Sequence, residues 1–291
     1  MTTKKESFVS VIVIFKNEER FIRDCVNSIL SQSHKNFELI LYDDGSNDNS
    51  TNIIRNFKDK RIKYYKNKLG RGIAVTRNNA LKKTEGSTVF FTDADCIVSR
   101  DWVAQGIRSL AKDCLGVEGR TDYITKKTTL ADKVVESKTG SDYMTCNICY
   151  KASILKKING FNTDFGNMME DRELAFRVMK YGTILFNPKM KVTHQRKFWT
   201  FRGMISRFKE QGKTKVLMHK LHGDKKYITG KVAFPTHLVS IIFPPLLIIK
   251  AVRDRIKSFS DFKVLLYFYV CYIVERVSIW RTSIKKGDFI L

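Results

Sequence analysis

An apolar, β-branched run near the N-terminus constrains this chain most. Phe8 to Phe15 (FVSVIVIF) is almost continuously hydrophobic, the pattern of a strand covered on both faces rather than one. Phe21, Ile22, Cys25, Ile29 and Leu30 then recur at helical spacing, and Phe37 to Tyr42 (FELILY) gives a second strand stopped by Asp43, Asp44 and Gly45. Asn49–Phe57 reads as a helix, Arg61–Tyr65 as a short strand and Gly72–Lys83 as another helix. Thr88–Thr92 (TVFFT) reads as a further strand, which runs into Asp93 and Asp95. This alternation predicts an α/β domain built on a mostly parallel sheet with right-handed crossovers. Such sheets bind ligands beyond the carboxyl ends of their strands, and both acidic pairs fall there.

The pattern past residue 146 is more broken. A strand at Asn147–Lys151, a helix at Ser153–Ile158, a turn at Gly160, a helix at Glu170–Tyr181 and two short strands, Thr183–Phe186 and Lys191–His194, are expected. Beyond His194 the composition changes: residues 191–231 hold twelve Lys or Arg against Glu210 and Asp224. A division near residue 200 is therefore expected, with 1–200 as the nucleotide-binding and catalytic domain and 201–291 as a basic, helical segment.

The 291 residues include 53 Lys or Arg and 29 Asp or Glu, a net charge of +24, yet 43% are hydrophobic. That content fills a core and excludes a disordered basic tail. The charge itself calls for an anionic partner: nucleic acid, a membrane face or phosphate-rich substrates. Of the six cysteines only Cys146 and Cys149 form a C-x-x-C. Without a second pair this predicts buried, reduced thiols of a cytosolic protein rather than zinc. The polar stretch before Phe8 lacks the apolar region and cleavage site of a signal peptide.

Asp93 and Asp95 stand two apart on an extended segment, so their carboxylates point the same way. Mg²⁺ is usually held by one or two carboxylates together with substrate phosphates, so this spacing suits a metal–diphosphate site; a solvated turn gives the same letters. Asp43-Asp44-Gly45-Ser46 also reads as turn chemistry, but two acidic strand ends in one sheet are harder to dismiss. Glu170 and Asp171 open a helix, where they either favour the positive end of its dipole or supply a general base. His194 ends a strand as a structural residue or a metal ligand. Arg77, in RGIAVTRNNAL, is a surface cation or a phosphate ligand.

Together these stretches resemble a family 2 glycosyltransferase of the GT-A fold. The resemblance spans about residues 7–215 and rests on SVIVIFKNEERFIRDCVNSILSQSHKNFELILYDDGSNDNS, GRGIAVTRNNAL, VFFTDADC, NGFN with MEDRELAFRVMKYG, and VTHQR, in that order. It implies an inverting transfer from a nucleoside-diphosphate sugar. Asp44 would bind the nucleobase, Asp93 would lie near the ribose, Asp95 would hold Mg²⁺ or Mn²⁺ with Asp93 and His194 completing the metal site, and Asp171 would be the base with Glu170 beside it. Arg77 and Asn78 match a motif lining the nucleotide. Many relatives carry Pro, and Thr or Tyr, in the first loop; here Asn17 and Glu18 stand there, which leaves UDP against GDP open.

Leu238–Ile249 and Val264–Val274 are apolar for twelve and eleven residues, short of the ~20 a spanning helix needs. Helices lying in the membrane interface, held by flanking Lys and Arg on anionic lipid, are favoured over a two-span hairpin or a soluble packing or oligomer interface. The leading expectation is a peripheral or monotopic enzyme on the cytoplasmic face, acting on a lipid-linked or saccharide acceptor. A nucleotidyltransferase lacks its glycine-rich loop after the first strand. A nucleic-acid binder lacks a groove-entering helix or stacking platform.

Overall fold

In a computed structural model of the chain, the described residues are 7–110, 114–125, 132–198, 200–223 and 259–287, with the side chains of 259–265 outside the description. They divide into two units: residues up to 124 together with 135–195, and residues 125–134 together with those from 196 onward.

The first unit is built on an eight-stranded sheet. Its strands are β1 (Val9–Phe15), β2 (Phe37–Asp43), β3 (Ile62–Lys66), β4 (Thr88–Asp93), β5 (Cys96–Val98), β6 (Cys114–Tyr123), β7 (Ile148–Lys151) and β8 (Thr183–His194). Their spatial order is β3-β2-β1-β4-β7-β6-β8-β5. The first four strands are mutually parallel, while β7 runs antiparallel to β4 and β6, and β5 antiparallel to β8. β1 lies between the two acid-tipped strands: Phe15 is opposite Asp43 and Ile14 opposite Asp93. Its side chains alternate between two cores. Val9, Val11 and Val13 pack with α1 (Ile22–Leu30) and Trp102 of α4 (Trp102–Ser109), while Ile12 packs under α3 (Ile73–Leu81), α5 (Ala152–Lys157) and α6 (Glu170–Met179). Burying each such side chain contributes about 1.5–3 kcal/mol, so the sheet's carboxyl edge rests on two buried cores. A short helix α2 (Ser50–Arg55) joins β2 to β3.

Two regions differ from the sequence expectation. The strands expected at 183–186 and 191–194 are one strand, β8, whose pairing with β6 jumps from Gly119↔Asn187 to Arg120↔Lys191. Pro188 falls in the jump; proline has no N–H to give a ladder and is confined to edges and bulges. The stretch 96–123, for which the periodicity predicts nothing, holds β5, α4 and β6. β6 is masked in sequence by Gly116, Glu118, Gly119 and Arg120. The glycines are there for contact: a Cβ on Gly119 would lie 2.1 Å from the Met190 carbonyl oxygen and one on Gly116 2.6 Å from the Tyr150 ring.

In the second unit, α7 (Phe201–His222) and α8 (Phe259–Lys286) pack together. α7 starts at Thr200, whose Oγ1 accepts from the Gly203 N–H, and ends at Gly223 in the left-handed region. The helices meet closely at Gly212, where a Cβ would fall 2.6 Å from the Glu275 carbonyl oxygen. Lys215 pairs with buried Glu275 at 2.5 Å, and Asp132 holds Arg196 at 2.6 Å. The apolar run Val264–Val274 belongs to α8; the run Leu238–Ile249 lies outside the described residues. Among the described residues no helix is long and apolar enough to cross a membrane.

Candidate active site

The β2 end is a knot of satisfied carboxylates. Asp43 is fully buried and accepts from the Ser46 N–H at 2.6 Å, Thr51 Oγ1 at 2.9 Å and Tyr64 hydroxyl at 3.1 Å, with Lys66 Nζ at 3.2 Å. Burial alone would raise its pKa; the Ser46, Thr51 and Lys66 donors outweigh it and hold the carboxyl below its usual range. Asp44 accepts from Asn67 Nδ2, the Arg71 N–H and Thr76 Oγ1 through Oδ1, and from the Gly72 N–H through Oδ2, all within 2.7–3.0 Å. It thereby fixes the loop entering α3. Gly72, at φ 89°, is a left-handed residue that only glycine takes readily.

Asn17 and Glu18 are drawn to this end. The N–H of Asn17 donates to Ser46 Oγ and that of Glu18 to Ser50 Oγ, both at 2.9 Å, and Asn17 Oδ1 accepts from the Asn47 N–H at 2.9 Å. Asn17 sits at φ 57°, a conformation asparagine tolerates better than most residues. The Glu18 carbonyl accepts from the N–H groups of Phe21 and Ile22 and so starts α1.

At the β4 end Asp93 is more open, while Asp95 is buried. The Asp93 side chain is 36% exposed and meets Arg77 Nη2 at 3.3 Å. Three residues on, the chain enters β5, whose Cys96 is paired with His194. That pairing brings His194 Nε2 to 3.4 Å from Asp95 Oδ2. His194 Nδ1 lies 3.0 Å from the Gln195 carbonyl oxygen. A carbonyl only accepts, so Nδ1 carries the proton and a neutral ring turns its Nε2 lone pair toward the carboxylate. Two acceptors face each other there and need a proton or a cation between them. Asp95, Cys96 and His194 offer ligand atoms all within 4.8 Å of one another. The donor chemistry therefore fits a divalent cation held by Asp95 and His194. Cys96 is a third neighbour that the sequence gives no reason to single out.

Arg77 joins the clusters. It is buried on α3, one residue after Thr76, and pairs with both Asp93 and Glu170. The Phe161 ring lies under its guanidinium at 5.5 Å. α3 thus touches Asp44 through Thr76 and the β4 and α6 acids through Arg77. Asn78 does not face the same way: its side chain clamps the backbone of Phe161 with two hydrogen bonds of 2.8 Å.

Glu170 and Asp171 begin α6 behind a strained elbow. Met169 is at φ 63°, an uncommon conformation for such a side chain. The elbow is tied to the start of α3: Asn167 Oδ1 accepts from the Ile73 N–H at 2.9 Å and the Gly166 carbonyl from Ala74 at 3.2 Å. Burial, reinforced by Asp171, pushes Glu170 up to about 7 against the pull of Arg77. Burial likewise raises Asp171, opposed by Arg77 and by the Arg172 N–H, which donates to its Oδ1 at 2.8 Å.

Glu118 is a further residue that sequence reasoning missed. Buried on β6, it accepts from the N–H groups of Ser141 and Tyr143 at 2.8 Å and of Asp142 at 3.2 Å. Ser141 and Tyr143 both have positive φ, and Asp142 meets Arg172 of α6 at 3.4 Å. Glu118 thus shapes a loop against the start of α6. A lone Glu among glycines in β6 gives no sequence signal of this. All six cysteines are buried free thiols.

Comparison with known proteins identifies the family. The family described as Glycosyl transferase family 2 matches residues 10–176. An uncharacterized glycosyltransferase of Haemophilus influenzae is 40% identical over 95 residues, 32% of this chain and 38% of its own length. The UDP-Glc:alpha-D-GlcNAc-diphosphoundecaprenol beta-1,3-glucosyltransferase WfaP of Escherichia coli is 30% identical over 192 residues, 65% of this chain and 76% of its own. The match thus spans well under half of the first relative and about three quarters of the second. Among solved structures, the mannosyltransferase PcManGT of Pyrobaculum calidifontis, in complex with GDP-Man and Mn²⁺, superposes with a TM-score of 0.57 at 18% identity, covering 97% of this chain and 74% of that one. At that identity the likeness speaks for the fold. With more than half of its length matched by the family, this chain belongs to glycosyl transferase family 2.

Proposed function

We propose that the chain transfers a sugar, with inversion, from a UDP- or GDP-linked donor to a hydroxyl of a polyprenyl-linked glycan at the cytoplasmic membrane face. The observation that carries this reading is the Arg77 bridge, which sets the α6 acids beside the β4 end and its Asp95–His194 pair. Asp171 is the base: it stands next to Glu170, whose carboxylate Arg77 engages, and its raised pKa brings it closer to the task of accepting a hydroxyl proton. The acceptor oxygen, losing its proton to Asp171, attacks the anomeric carbon in line with the departing diphosphate. Arg77 holds Glu170 and Asp93 in register. Asp44 shapes the α3 loop as one wall of the nucleotide pocket, with the Asn17–Glu18 loop as the other. Asp95 and His194, with Asp93 beside them, would hold Mg²⁺ or Mn²⁺. Such a cation supplies Lewis-acid neutralisation of charge on the leaving diphosphate, and a mixed nitrogen–oxygen pair suits Mn²⁺ better than the all-oxygen shell Mg²⁺ prefers.

The acceptor class is supported by the E. coli relative, named for a diphosphoundecaprenol substrate. The membrane face is supported by the cation excess of residues 191–231. The test is transfer of radiolabel from a panel of UDP- and GDP-sugars to GlcNAc-diphosphoundecaprenol with Mn²⁺, Mg²⁺ or chelator. One donor labelling the lipid only with metal is expected. Undiminished labelling in excess chelator overturns the metal assignment, and labelling of soluble saccharides alone overturns the acceptor assignment.

A further inference from the structure

The stretch 137–146 leads into β7 past the start of α6, and one buried carboxylate gives it its shape. Its ends are tied to the sheet. Ser137 bridges Thr121 of β6 with hydrogen bonds of 2.8 and 2.9 Å, and the Cys146 carbonyl accepts from Thr92 Oγ1 of β4 at 2.9 Å. Between these anchors Gly140, Ser141 and Tyr143 take positive φ, 81°, 76° and 54°. Two of the three are not glycine, and such backbone persists only where its surroundings fix it.

Glu118 fixes it. Its Oε2 accepts from the Ser141 N–H, and its Oε1 from the N–H groups of Asp142 and Tyr143. Successive N–H groups turned on one point form a nest for an anion, and here the anion is the chain's own side chain, 2% exposed. The anchors at 137 and 146 close the loop without Glu118, so its hydrogen bonds set the shape between them. The loop so shaped meets α6 twice. Asp142 pairs with Arg172, and the Thr145 N–H donates to the Asp171 carboxyl. Asp171 Oδ1 also accepts from the Arg172 N–H, so donors from two elements leave the carboxyl little freedom to turn.

We infer that Glu118 is a positioning residue for transfer: through the N–H groups of 141–143 it holds the loop that presents the Thr145 N–H to Asp171, and so fixes the direction in which that carboxylate meets the acceptor hydroxyl. This rests on Asp171 being the base, as proposed above. Glu118 acts through the loop and not on the substrate.

The test is the pH profile of kcat in Glu118→Gln, beside hydrogen exchange at residues 141–145. Asp171 is faced by Glu170 and Arg172 of its own helix, Arg77 of α3 and Tyr150 of β7. Two effects move its acid limb in opposite directions. Removing the Glu118 charge lowers the Asp171 pKa, whereas losing the Thr145 donor raises it, because that N–H favours the ionised form. If the Glu118 carboxyl, itself raised by burial, set part of the limb, its removal would also lower the limb. Positioning therefore predicts a limb moved to higher pH, faster exchange at 141–145 and unchanged donor affinity. The plateau kcat should fall about a hundredfold, as for a reacting group displaced by ~1 Å. Asp142→Asn, at a side chain 42% exposed, removes only the tie to Arg172 and keeps the test open if residue 118 tolerates no change; a several-fold lower kcat is expected. A limb that stays or moves down in folded Glu118→Gln, unchanged exchange, or wild-type kcat in Asp142→Asn overturns the positioning role. Wild-type turnover in Asp171→Asn overturns the base assignment and this role together, whereas an inactive Asp171→Asn beside an unmoved limb in Glu118→Gln overturns this role alone.

Discussion

The two acid-tipped strand ends look alike in sequence and differ in the fold. At the β2 end, Asp43 and Asp44 receive donors from Ser46, Thr51, Tyr64, Asn67, Gly72 and Thr76 among others. At the β4 end, Asp93 has one guanidinium and Asp95 faces an imidazole. A carboxylate with its lone pairs filled by protein donors holds loops in place. One partly in solvent, as Asp93 is, keeps capacity for a ligand. The proposed transfer uses this difference: on that reading the first pair is architecture and half-exposed Asp93 faces the ligand, with α6 joined to it through Arg77.

The largest expected effect is on activity at α6. Asp171→Asn should lower turnover about 10²- to 10⁴-fold, the usual contribution of a general base, while leaving the melting temperature and donor affinity near wild type; turnover at the wild-type rate sinks the assignment. Next comes the saturated end. Asp43→Ala leaves Lys66 and three donors facing an empty site and should cost about 3–5 kcal/mol in a denaturant titration, and a stable but inactive variant would reverse the comparison. Asp95→Ala should lower turnover roughly a hundredfold, as loss of a metal ligand does, and weaken Mn²⁺ binding with little change in stability. An equal fall in stability at positions 43 and 95 would erase the contrast.

The smallest effect is in the pH profile. Glu170 and Asp171 titrate higher in the fold than in the unfolded chain, so the folded state binds their protons more tightly. Their contribution to stability is full below the unfolded carboxyl range and is lost as pH rises through about 7 for Glu170. On the proposed reading transfer needs Asp171 ionised, so activity should rise with pH along an acid limb set above the usual aspartate range. Glu170→Gln removes the neighbouring negative charge and should move that acid limb to lower pH. A limb that stays put would show that burial alone sets it.

Much of the site was legible before the fold. The β1, β2 and β4 runs, the acids that end them and the helix opened by Glu170 follow from local hydrophobicity and period, which need no tertiary information. What was not legible depended on distant partners. Glu118 looks like a solvent-facing residue until β6 is placed inside the sheet. The two strands expected around Pro188 are one because β6 supplies continuous pairing on both sides of the jump. Asn78, placed by resemblance at the nucleotide, is occupied with Phe161 across 83 residues of chain.

By itself the sequence determined where acids meet strand ends, because a strand's apolar period and its stop are written in neighbouring letters. Only the tertiary structure decided how each acid is partnered, since the partners are remote: Thr76 is 32 residues from Asp44 and Glu170 is 93 from Arg77. His194 reaches Asp95 only because β5 pairs with β8. Hydrogen-bond capacity is filled by whatever the fold brings within about 3 Å, and that distance is not a property of adjacent residues.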